Sequence, residues 1–135
     1  MSVGDRVAAA ARRCIGVRFR PHGRDVAHGL DCVGVAAVAL REGGVPVAAP
    51  DGYSLRTTIW SGATPPGLVA CDGTAVGDVL LCQGSAGQLH VAIRTGGGIV
   101  HADATLRRVV ERPGAVPWPV ERAWRPVASD GEGER

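Results

Sequence analysis

The chain has 135 residues, 45% of them hydrophobic and 21% charged, a balance inside the globular range that excludes disorder over most of its length. Fifteen basic residues, all arginine, stand against thirteen acidic ones for a net charge of +2, and with only 4% aromatics they form no clustered basic face for nucleic acid. Apolar runs such as Val33 to Leu40 fall well short of the roughly 18 residues that cross a bilayer, so no membrane span is expected.

In chain order, Ser2 is placed to cap a first helix, with Asp5 three residues on as a short capping box. Val3, Val7, Ala10, Ala11 and Cys14 recur at helical spacing, which puts Cys14 on the packed face. Gly16 ends that helix, and residues 16–30 read as an irregular loop broken by Gly16, Pro21, Gly23 and Gly29. Asp31 then caps a second helix, apolar nearly all round and therefore buried, which stops at Gly43-Gly44. Residues 44–77 read as loop-rich, with one short helix over Ser54–Trp60.

From Gly77-Asp78 onward the pattern changes to short apolar runs separated by glycine-rich turns. Val79–Cys82, Leu89–Arg94, Ile99–Asp103 and Arg108–Glu111 form an antiparallel meander, and Glu121–Arg125 makes a last strand. Helices first and strands afterwards predict an α+β domain over residues 1–128, with the helices on one face of the sheet. The polar tail, residues 129–135, is expected to be disordered.

Chemistry concentrates at three residues. If Asp31 caps its helix, Cys32 lies in the first turn, where unpaired N–H groups and the helix dipole favour a thiolate near neutral pH. Taking Thr95–Gly98 as a turn with Arg94 opposite Ile99 puts His90, Ala92, Arg94, Ile99, His101 and Asp103 on one face, and Leu89, Val91, Ile93, Val100 and Ala102 on the other. His90 and His101 are then diagonal neighbours, roughly 7–8 Å apart at the backbone, with Asp103 directly opposite His90. A nucleophilic thiol needs a base, and the base needs a third group to hold its tautomer. Cys32 and His90 fit the first two roles, while His101 and Asp103 both remain open for the third. The cysteines show no C-x-x-C spacing, so no metal site is expected. Trp60, Trp118 and Trp124 are either core residues or the lining of a pocket.

Two stretches, Gly16–Arg24 and Gly29-Leu-Asp-Cys-Val-Gly34, resemble the cysteine motif of NlpC-type cell-wall peptidases. Gly77–Leu81, Leu89-His-Val-Ala-Ile93 and Val100-His-Ala102 are similar to that family's histidine blocks, so the likeness runs over about residues 5–126. The nearest in flavour are the phage and gene-transfer-agent cell-wall peptidases. The resemblance implies a papain-like NlpC fold and a Cys32-His90-His101 triad with no cofactor, in which His101 rather than Asp103 is the orienting residue. The Cys32 backbone N–H would belong to an oxyanion hole. It implies peptidoglycan stem peptides as substrate, commonly cut between D-glutamate and diaminopimelate, through a thioester. Phe19 stands near a position where the family often has a tyrosine, which moves attention to Phe19, His22, Arg24 and Asp31 as substrate contacts. An amidase, deamidase or acyltransferase on the same scaffold, or an inactive structural tail component, are the alternatives. The N-terminus lacks the pattern of a secretory signal. The expectation is synthesis in the cytoplasm and delivery to the wall in a phage-like particle, with its tail proteins as partners, or by lysis.

Overall fold

The computed structural model describes residues 1–46, 53–84 and 87–127, so the expected disorder of 129–135 lies outside the described residues. Helix α1 (Val3–Arg13) starts at Ser2, whose side chain accepts the Asp5 N–H while Asp5 accepts the Ser2 N–H in return. A two-residue ladder, β1 (Arg24–Asp25) with β2 (Gly29–Leu30), precedes α2 (Cys32–Glu42). After α3 (Tyr53–Ser61) come six strands: β3 (Leu68–Ala70), β4 (Val79–Gln83), β5 (Leu89–Arg94), β6 (Gly98–Asp103), β7 (Arg108–Pro113) and β8 (Val120–Pro126).

These six form one antiparallel sheet in the order β3-β8-β4-β5-β6-β7. The meander β4 to β7 is the one expected from the sequence. The final strand returns to the other edge of β4, and β3 closes that side. Neither β3 nor the β1–β2 ladder was expected, since two or three residues carry no readable period.

The alternation along β5 and β6 sorts the core. Val91, Ile93, Val100 and Ala102 pack with α1 and α2 in the main cluster, together with Val7, Leu40, Ile59 and Trp124. Ala92 and Ile99 face the opposite side and pack with Leu80, Cys82 and Ala123 under Val116 and Trp118. Cys14 is buried, as its helical spacing predicts, and Cys82 is buried on β4. Residues Val33 to Leu40 of α2 are buried without exception, because this helix sits between α1 and the sheet. Burying a Val or Leu side chain is worth about 1.5–3 kcal/mol, so α2 is pinned by packing along its whole length.

Two glycines bring the 16–30 segment onto the start of α2. A Cβ on Gly34 would run into the carbonyl oxygen of Gly23, and a Cβ on Gly23 would strike that of Gly29. That close approach sets Phe19 to His22 beside Cys32.

Candidate active site

Asp31 organises the entry to α2. Its Oδ1 accepts the Gly34 N–H at 2.8 Å and Arg24 Nη1 at 2.6 Å, while its Oδ2 accepts the His22 N–H at 2.9 Å. That last bond holds His22 at φ 60°, a left-handed conformation rarely adopted by a residue with a side chain. Cys32 follows as the first residue of α2, half-buried and free of any disulfide. Its backbone N–H has no acceptor inside the helix.

A cleft of about 500 Å³ opens in front of Cys32. Phe19, Pro21, His22 and Asp31 line one side, Arg56 and Trp60 of α3 another, and Gln88, Leu89, His90, Ala102 and Ala104 the sheet side. Thus Cys32 and His90 share one cleft. A second hollow of about 370 Å³ adjoins it across His90, lined also by His101, Asp103, Arg112 and Trp118.

The two histidines meet directly. His90 Nε2 lies 2.8 Å from His101 Nδ1, with the rings edge-to-face at 88°. Trp118 covers both, its ring 5.0 Å from that of His90 and 5.1 Å from that of His101. If His101 Nδ1 accepts, His90 Nε2 carries the proton and its Nδ1 is a bare lone pair, the state a base requires.

Near the turn the β5–β6 register is the expected one, with Ile93 opposite Val100 and Arg94 opposite Ile99. Beyond those two pairs the ladder does not continue, although β5 stays paired to β4 as far as Leu89, and β6 to β7 as far as Asp103. The pairing of Asp103 opposite His90 is therefore not formed. Instead Asp103 Oδ1 accepts the N–H groups of Thr105 and Leu106, each at 2.9 Å, and shapes the turn into β7.

The electrostatics correct one expectation. Burial pushes the Cys32 thiol up to about 11, outweighing the hydrogen bonding from the Val91 and Val33 backbone and the charge of Arg56, while Asp31 pushes it further up. The helix start does favour an anion, but its cap is already a carboxylate, and the thiol has lost most of its water. Cys32 therefore rests as a neutral thiol rather than a thiolate. Burial likewise lowers His90 to about 4, helped by the nearby His101 and opposed by Asp103. His101, itself buried, is also lowered, burial again being the main cause. Both imidazoles are neutral at pH 7.

Of the four suggested substrate contacts, Phe19, His22 and Asp31 line the cleft, and Arg24 does not. Arg24 is bound to Asp31, so its charge is spent on the helix cap. The tryptophans divide: Trp124 is core, Trp60 lines the cleft, and Trp118 roofs the histidines. Trp118 lies between Pro117 and Pro119 in a connection, and that pattern argues against a strand-core position. Arg56 and Gln88 carried no signal in the sequence.

Cys71, Asp72 and Asp78 also cluster, but both carboxylates are held by Arg125, which already supplies the positive charge a cation would bring.

No protein-family model matches the sequence, and no curated protein does. Solved structures do match. NlpC1 from Trichomonas vaginalis superposes with a TM-score of 0.66 at 19% identity, over 92% of this chain and 44% of that one. The NlpC/p60 domain of the peptidoglycan hydrolase SagA gives 0.56 at 26% identity, over 89% and 96%. The peptidoglycan hydrolase RipB from Mycobacterium tuberculosis gives 0.58 at 18% identity, over 94% and 65%. This chain spans less than half the length of the Trichomonas protein. Among the described residues, the three helices and the six-stranded antiparallel sheet in this arrangement are the NlpC/P60 fold.

Proposed function

We propose that this chain is a cysteine peptidase acting on peptidoglycan stem peptides, with Cys32 as nucleophile, His90 as general base and His101 as the residue that orients it. The observation carrying this reading is the 2.8 Å contact of His90 Nε2 with His101 Nδ1, made by a histidine that shares its cleft with Cys32. The fold's resemblance to peptidoglycan hydrolases adds the substrate class.

A neutral thiol facing a neutral imidazole calls for proton transfer in step with attack. His90 Nδ1 takes the Cys32 proton as Sγ bonds to the scissile carbonyl carbon, and the carbonyl oxygen becomes an oxyanion. The Cys32 backbone N–H, unused by the helix, stabilises that charge. Collapse expels the amine, which receives the proton from His90 Nε2-braced imidazolium through Nδ1, and leaves a thioester. Water then gives a proton to His90 and its oxygen to the acyl carbon, and the returning proton restores the thiol. His101 accepts the His90 Nε2–H bond throughout, keeping Nδ1 aimed at the sulfur.

The test is incubation of purified protein with peptidoglycan, with the fragments read by mass spectrometry. A cut between D-glutamate and diaminopimelate is the expected result. Release of ammonia or of whole stems would assign the site to amidase or deamidase chemistry, and intact peptidoglycan with folded protein would leave a structural role. We extend the proposal to delivery in a phage-like particle or by lysis, a route tested by looking for the chain in purified particles.

A further inference from the structure

One charged side chain in the cleft has no partner of opposite sign among the described residues. Arg56 is half-buried on α3, and its guanidinium carbon lies 4.9 Å from the Trp60 ring centroid, one helical turn on. No hydrogen bond or ion pair engages it among the described residues. Among the described residues Asp31 is the one carboxylate lining the same cleft, and it is taken by Gly34, His22 and Arg24. With Asp31 neutralised by Arg24, Arg56 gives the described part of the cleft an uncompensated positive charge close enough to Cys32 to act on its thiol.

A guanidinium held against an aromatic face keeps its N–H donors in its own plane, pointing past the ring. Trp60 therefore fixes the fork without using its donors. The group such a fork matches is a carboxylate, bound through two parallel hydrogen bonds. We propose that Arg56 is a specificity-determining residue that receives a free carboxylate of the substrate beside the scissile bond, so that the cleft selects acidic peptides over their amidated forms. This rests on the peptidase reading above. In a γ-linked glutamyl peptide the α-carboxylate is left free on a short branch near the acyl carbon, within reach of a site next to the nucleophile. Converting that carboxylate to a carboxamide removes the charge and one acceptor at once.

The experiment compares two synthetic stem peptides that differ only there, α-carboxylate against α-carboxamide. Their kcat/KM values are measured for the wild type, Arg56→Gln and Arg56→Lys, and their Kd values for Cys32→Ala with and without Arg56→Gln. The wild type should prefer the carboxylate by about 10–100-fold, Arg56→Gln should bring the ratio near one, and Arg56→Lys should keep part of it, as a charge without a fork. The same loss of preference should appear in binding by the Cys32→Ala protein. A ratio untouched by Arg56→Gln, or equal losses on both peptides, would overturn the assignment while leaving the peptidase reading intact. If the wild type cuts neither peptide the peptidase reading fails, and the binding ratio still decides whether Arg56 reads a carboxylate.

Discussion

At one end of β4 the carboxylate of Asp78, wholly buried, takes Arg125 Nε and Nη2 at 2.9 Å each, and Asp72 accepts Arg125 Nη2 as well at 3.1 Å. At the other end, Cys82 pairs with His90, and the polar groups beyond it are a thiol and two imidazoles that burial keeps neutral. In the first cluster both carboxylates are tied to one guanidinium, Asp78 through two hydrogen bonds and Asp72 through a third. The second withholds charge, so that Cys32 and His90 gain ionic character only when a proton moves between them. One sheet thus carries an ion-pair clamp suited to stability and a desolvated pair suited to chemistry. Substitutions at the two ends should separate the two properties.

The largest effect belongs to Cys32→Ala. It should abolish hydrolysis, because nothing else in the cleft can form the thioester, while thermal unfolding stays close to wild type since the thiol is small and makes no disulfide. Retained turnover in that variant would remove the mechanism altogether.

Next comes the choice between His101 and Asp103. His101→Ala should lower kcat/KM by about 10²–10⁴-fold, as loss of an orienting group does, whereas Asp103→Asn should cost less than about tenfold. The reverse ranking would make the carboxylate the orienting group, despite its bonds to Thr105 and Leu106.

On the stability side, Arg125→Ala leaves Asp78 buried without its counter-ion. It should lower the urea midpoint of unfolding measurably, with kcat/KM within a few-fold of wild type. A large activity loss from a folded Arg125→Ala protein would show that the two clusters are coupled through β4.

How far these features could be read in advance follows from their range. Ser2, Asp5, Asp31 and the Gly43-Gly44 pair act over three or four residues, so the ends of α1 and α2 are legible from the sequence. Alternation sorts β5 and β6 onto their two faces for the same reason. The end of the β5–β6 ladder after Arg94–Ile99 and Ile93–Val100 is not local. A register rule extends the pairing that the neighbouring strands do not enforce, and so sets Asp103 opposite His90. The resting charge of Cys32 is hidden likewise, because the helix start is local and the burial that overrides it comes from the sheet and the 16–30 segment. Arg56 becomes notable only once Asp31 is seen to be occupied by Arg24.

The smallest effect concerns pH, and it probes what Trp118 contributes. His90 must be neutral to take the thiol proton, so kcat/KM should fall as pH drops through its pKa in the free enzyme. With that value lowered to about 4, the acid limb should lie near pH 4, well below an ordinary histidine at 6.5. The thiol, raised to about 11, adds no ionisation of its own between those values. Stability carries the same sign: an unfolded chain binds a proton at His90 below about 6.5 that the native state refuses until about 4, so unfolding becomes easier as pH falls across that interval. Trp118 lies edge-on to both imidazoles and shares in the burial that holds them neutral. Trp118→Ala should readmit water, raise the His90 pKa and move the acid limb upward by about one pH unit or more, with only a few-fold change on the plateau. A wild-type limb at pH 6–7 would mean that His90 titrates as an ordinary imidazole despite its burial. A limb that does not move in Trp118→Ala would assign the desolvation to the strands alone.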